Sequence, residues 1–219
     1  MTGFTASGSL PGEHTLSRRD LLKAGGAFAG AVALAQATGG GQLAQAQQRR
    51  VRWDIVSLRP EGAGVAVHPG GEASARSANG VRITFTGTGT FLPGTPRDVA
   101  GGGTFKVATP TGSALFDGSY RATELLYWQQ EEGTPPPVVV ADRIANAADA
   151  RAGFAILRIA YPGGAEGILV VSCQLAGTNP AVFEGVIATH GTVSFYDREA
   201  PQDEPFVDAN RTVFHTLSS

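Results

Sequence analysis

The closeness of its turn signals constrains this chain more than any other feature. Glu61-Gly62-Ala63-Gly64, Pro69-Gly70-Gly71, Asp117-Gly118, Pro162-Gly163-Gly164 and Gly177-Thr178-Asn179-Pro180 punctuate the sequence, and such clusters mark tight turns. Parallel β-α-β units need a dozen or more residues per crossover, so this spacing fits antiparallel meanders. The stretches between the turns have the period of strands. Val81, Ile83 and Phe85 alternate with Arg82, Thr84 and Thr86, as in a half-buried strand. Residues 51–58 alternate likewise, Phe105 and Val107 repeat the pattern, and residues 119–129 put Tyr120, Ala122, Glu124, Leu126 and Trp128 on one face. Residues 154–161 and 168–175 are nearly continuous apolar runs rich in β-branched side chains, which predicts the most buried strands of the sheet.

Residues 182–189, 193–196 and 211–217 complete a set of about nine short strands. The expectation is an all-β fold, a single antiparallel domain. A small β-barrel is favoured over a two-sheet sandwich, because bulky residues occupy both faces of the strands and glycines fall where a barrel turns its corners. One stretch departs from the pattern, a long loop with a short helix near 133–152. Gly133-Thr134-Pro135-Pro136-Pro137 cannot join a central strand. The Ala-rich segment 142–151 opens on Asp142 as an N-cap and closes before Gly153, which predicts a short helix. Excursions of that length usually serve a purpose, so a lid or contact surface is expected there.

The first 46 residues read as a signal to be removed before the domain begins. Ser17-Arg18-Arg19-Asp20-Leu21-Leu22-Lys23 resembles the twin-arginine (Tat) consensus, departing from it only at Leu21, where the consensus has Phe. The Ala- and Gly-rich run after Lys23 is too short and too weakly apolar to remain as a stable membrane anchor. Ala44-Gln45-Ala46 has the small-x-small pattern of a signal-peptidase site, placing cleavage after Ala46. The resemblance implies passage through the Tat translocase and a periplasmic or secreted destination. The domain is then residues 47–219. Cys173 is the only cysteine, so no intramolecular disulfide can form and the domain must be held by its own core.

Two resemblances accompany this reading. Gly87-Thr88-Gly89-Thr90-Phe91 and Gly101-Gly102-Gly103-Thr104-Phe105-Lys106-Val107-Ala108 look like the Gly-Gly-Thr-Gly-x-Phe stretch of dirigent and allene-oxide-cyclase barrels. Over fewer than ten residues, the likeness implies a barrel and no activity. Residues 153–158 with 167–173 resemble β-rich bacterial proteins exported by the Tat route, which implies location and shape.

Composition excludes several classes of function. Seventeen Lys and Arg against 19 Asp and Glu give a net charge of −2, and removing Arg18, Arg19, Lys23, Glu13 and Asp20 with the signal leaves a slightly acidic domain. A nucleic-acid binder would carry a basic footprint. The chain has no P-loop, no G-x-S-x-G elbow, no H-E-x-x-H and no paired-cysteine motif, so neither a metal nor any other cofactor is expected.

The chemistry-bearing candidates are therefore few. Glu124 and Arg158 stand among the apolar alternates of hydrophobic strands, with Glu184 as a third member, and an inward-facing charge must find a partner. Trp53, Tyr127 and Trp128 are candidate binding residues. Glu184, His190 and His215 would form a carboxylate–imidazole cluster only if their strands were neighbours; otherwise the histidines are ordinary turn and strand residues. Two classes of function follow. One is a non-enzymatic exported domain that binds a small apolar ligand, a cell-envelope partner or a second copy of itself. The other is an exported cofactor-independent isomerase or cyclase that uses Glu124, Arg158 and Glu184 inside a polar barrel.

Overall fold

The computed structural model describes residues 49–136, 140–198 and 210–218. The twin-arginine pair Arg18 and Arg19 and the cleavage residue Ala46 lie outside them. The described chain is all-β. In chain order the strands are Val51–Glu61 (β1), Gly64–Pro69 (β2), Ala73–Arg76 (β3), Arg82–Phe85 (β4), Thr88–Phe91 (β5), Val99–Ala108 (β6) and Ala114–Glu131 (β7). They continue with Val140–Asp142 (β8), Ala150–Ala160 (β9), Glu166–Cys173 (β10), Gly185–His190 (β11), Val193–Phe195 (β12), Asp197–Arg198 (β13) and Arg211–Thr216 (β14).

Six of them close a ring. β1 pairs with β14, β14 with β9, β9 with β7, β7 with β6, β6 with β5, and β5 with β1, every pair antiparallel. The barrel expected from the two-faced bulk of the strands and the placing of the glycines is present, without free edges around the ring. The stretches 87–91 and 101–108 lie side by side in it: Thr88 opposes Gly102 and Gly89 opposes Gly101. Glycine is required here because a Cβ on Gly89 would press on the Trp53 indole, 2.6 Å from its Nε1.

The longer strands outrun the ring and carry extra strands. β10, β11 and β12 extend from β9, while β4, β3 and β13 extend from β6. The inner faces of both extensions join one core: Ala73, Ile83, Phe85 and Phe105 pack in the same cluster as Leu169, Val171, Val186 and Phe195. Trp53, Ile55, Phe91, Leu157 and Phe214 fill the ring itself, each 0 % exposed. At about 1.5–3 kcal/mol for each large apolar side chain withdrawn from water, such a core can hold a domain without disulfides.

The segment near 133–152 differs from its expectation. It contains no α-helix among the described residues; a three-residue 3-10 turn at Ala147–Asp149, with Asn146 as its cap, stands where the short helix was predicted. Residues 140–142 form β8, which runs parallel to β2 with Val65 opposite Val140 and Val67 opposite Asp142. The alanines favour helix only weakly, and the tertiary pairing of β8 with β2 overrides that preference. β2 and β8 cover one outer flank of the barrel, where Val56, Val67, Ala150 and Val213 form a second small apolar cluster with Val140 and Ile144.

Candidate functional site

The outside of β7–β9–β10–β11 is unlike an ordinary solvated sheet face. Register carries one row across all four strands: Tyr127 opposes Ile156, Ile156 opposes Val170, and Val170 opposes Ile187. Cross-strand neighbours share a face, and the core side chains Ala155, Leu157, Leu169, Val171, Val186 and Ala188 occupy the alternate positions, pointing inward. The row therefore points outward, and its members remain partly exposed. Phe154 widens it, its ring stacked 5.5 Å from that of Tyr127. Ile168, opposite Arg158, continues it along β10. A bulge between Leu125 and Tyr127 leaves Leu126 between them, also exposed.

Charges border this apolar field. Arg158 Nε donates to Glu124 Oε2 at 3.0 Å, and Arg158 Nη1 lies 3.9 Å from Glu166 Oε2. Thus the structure does bring Glu124 and Arg158 together, as cross-strand partners. They meet on the outer face, with side-chain exposures of 34 % and 40 %. Such a pair needs no buried neutralisation and contributes little to stability.

Glu184 is placed elsewhere. Its Oε2 accepts from the backbone N–H of Gln174 at 2.6 Å and its Oε1 from that of Thr212 at 2.7 Å. Burial pushes its carboxyl up to about 7, although these N–H donors, the nearby Arg211 and the Thr212 hydroxyl all pull it down. Ser172 Oγ donates to the Phe183 carbonyl at 2.6 Å, and Asn210 Oδ1 accepts from Ser74 N at 3.2 Å, so this polar knot ties β3, β10 and β14 together. Cys173 lies beside it, fully withdrawn from water, and burial raises its thiol far above the reactive range.

Trp53 and Trp128 point into the barrel. The Trp128 ring stands 4.7 Å from Phe214 and 5.2 Å from Phe91, and Trp53 is wholly buried with its Nε1 unpartnered. Of the three aromatic candidates, only Tyr127 presents a surface, and its hydroxyl donates to Gln129 Oε1 at 2.7 Å.

A second buried polar centre was not legible in the sequence. His215 Nε2 lies 2.8 Å from Asp142 Oδ2, with side-chain exposures of 0 % and 4 %. Asp142 Oδ1 also accepts from the N–H groups of Ile144 and Ala145. Burial pushes the Asp142 carboxyl up, but the His215 hydrogen bond and charge and these two donors together bring it below its ordinary value. In the neighbouring position Arg52 grips the buried Asp54 at 2.7 and 2.9 Å. Chemically this is a carboxylate–imidazole pair, yet His215 Nδ1 is buried without a partner, so no nucleophile is engaged.

The conditional meeting of Glu184, His190 and His215 does not occur: Glu184 reaches β14 at Thr212, but His215 is engaged with Asp142 and His190 lies among aromatic rings. His190 instead packs 4.4 Å from the Tyr161 ring and 5.0 Å from Phe116. Among the described residues, no group of three or more histidine, cysteine or acidic side chains is placed to hold a metal ion. No protein-family model, no curated protein and no solved structure matches this chain. What the face can do follows from its own residues.

Proposed function

We propose that this protein is an exported, non-enzymatic β-barrel that binds an apolar surface of a cell-envelope partner through the outer face of β7–β9–β10–β11. The row Tyr127–Ile156–Val170–Ile187 carries the reading. A contiguous apolar field that water still reaches marks an interaction surface, and the Glu124–Arg158–Glu166 charges at its edge supply the polar rim of such a surface. Small-molecule sites are concave and enclose their ligand, whereas a row of side chains laid across the outside of four paired strands encloses nothing. The face therefore favours a partner protein or envelope surface over a small apolar ligand. The ring interior, filled by Trp53, Phe91, Leu157 and Phe214, gives no support to a polar chamber for isomerisation or cyclisation. Export rests on Ser17–Lys23 and Ala44–Ala46 as read from the sequence.

The test is Ile156→Lys combined with Val170→Glu, which sets opposite rather than like charges across the strand pair. Both side chains point outward, so thermal unfolding should stay within a few degrees of the parent. In native mass spectrometry and envelope co-sedimentation of protein from its own host, the parent should retain a partner that the variant loses. Equal partner recovery by both, or a small molecule retained by both, would overturn the assignment.

A further inference from the structure

The apolar row on β7–β9–β10–β11 has borders of a definite charge, and they select what can cover it. On the side of Ala160, register sets Glu124 opposite Arg158, and Arg121 opposite Ala160, which in turn opposes Glu166. Cross-strand neighbours share a face, so these charges stand beside the row. On the other side Gln129 opposes Phe154. Glu131 lies two positions further along β7, on the same side of the strand, and accepts from Gln129 Nε2. The nearest charged groups on these strands are thus three carboxylates, Glu124, Glu131 and Glu166, against two guanidiniums, Arg121 and Arg158.

Arg158 is already engaged. Its Nε donates to Glu124 at 3.0 Å and its Nη1 lies 3.9 Å from Glu166, so a guanidinium between two carboxylates has little left for an incoming anion. Glu166 differs: its side chain is 65 % exposed, and its 3.9 Å separation from Arg158 exceeds hydrogen-bond distance. Its oxygens can accept from a donor outside the chain. These borders discriminate among occupants. An anionic lipid surface is held by basic residues flanking an apolar face, and carboxylates repel it. A second copy would set this acidic border against itself, and like charges facing each other suppress association. The apolar members suit a protein instead. The Tyr127 and Phe154 rings are stacked, and Ile156, Val170 and Ile187 are β-branched with a stiff first torsion. The row is therefore a fixed relief of the kind that packs against another folded surface.

Resting on the reading of this face as a docking surface, we propose that its occupant is a protein whose own apolar patch carries a lysine or arginine set against Glu166. With p-benzoylphenylalanine in place of Ile187, the full chain irradiated in its own host should label a protein. That protein, identified by mass spectrometry and purified, is then titrated calorimetrically with the parent and its variants. Glu166→Lys should weaken binding about tenfold with thermal unfolding unchanged, because it sets like charges together. Added salt should weaken the parent complex, and Arg121→Gln should bind at least as tightly as the parent. Vesicles of phosphatidylglycerol and phosphatidylethanolamine should not sediment the parent. The proposal is overturned if the label falls on lipid, on a second copy or on nothing, if the vesicles bind, if Arg121→Gln weakens the complex as Glu166→Lys does, or if Glu166→Lys binds like the parent. In that last case Ile156→Lys with Val170→Glu separates the two readings. Loss of binding leaves the docking face standing without its cation, and unchanged binding overturns the face as well.

Discussion

His215 and Asp142 meet at 2.8 Å although 72 residues separate them in the chain and neither side chain reaches water. The contact fastens β8, and with it the cover over one flank of the barrel, to the last strand of the ring. Removing one partner of a buried hydrogen bond to a carboxylate leaves the other polar group unsatisfied, at a cost of about 1–3 kcal/mol. Asp142→Asn should therefore lower the denaturant midpoint strongly at pH 7. Hydrogen exchange should show amides of residues 140–145 losing protection first.

The pH dependence of that loss has a defined sign. Asp142 has a folded-state value below its ordinary one, so its contribution is present above the unfolded value of about 3.8 and is lost as pH falls through the folded value. Denaturation of the parent and of Asp142→Asn should differ most near neutrality, and the two curves should converge in strong acid.

Glu184 behaves in the opposite sense. Its folded-state value of about 7 lies above the model-peptide value of 4.5, so its contribution is fully present below 4.5 and is lost as pH rises through about 7. The melting temperature of the parent should decline between pH 5 and pH 8. Glu184→Gln should be less stable throughout, since the amide presents N–H groups to a site built from N–H donors, at a cost of about 1–3 kcal/mol. Its decline across that interval should be smaller than that of the parent.

Gly153 is a position at which the barrel tolerates no side chain. Its φ is +143°, and a Cβ would collide with the Gln129 carbonyl on the adjoining strand. Gly153→Ala should destabilise by at least about 1–3 kcal/mol from crowding alone, with the added strain of its backbone. Chemical denaturation would measure it.

Export is testable apart from the fold. If Ser17–Lys23 is a twin-arginine signal, replacing both Arg18 and Arg19 by lysine should hold the full-length precursor in the cytoplasm, as read by fractionation and immunoblotting. Undiminished processing after Ala46 would refute it.

The strand content and the antiparallel connection were legible because both depend on near neighbours. The alternation Val81-Arg82-Ile83-Thr84-Phe85 separates a core face from a water face whatever the strand pairs with. Turn glycines likewise act locally. The apolar runs 154–161 and 168–175 predict the most buried strands, and one face of each is buried. Their other face is the half-exposed row of Ile156, Ile168 and Val170. Composition alone cannot say whether an apolar run is covered by its own chain or left for another.

The sequence by itself determined the class of the fold, the inward side of β1, β4 and β6, and the setting of Glu124 and Arg158 on hydrophobic strands, whereas bulges in β7 broke the single face read for residues 119–129. Only the tertiary structure decided that this pair faces outward, that Glu184 serves a polar knot between three strands, that Trp53 and Trp128 fill the ring, and that Asp142 meets His215. Each of those outcomes depends on which distant strands become neighbours and in what register. A shift of one residue turns every side chain of a strand to the other face, and closure of the ring through β1, β5, β14 and β9 sets that register by contacts far apart in the chain.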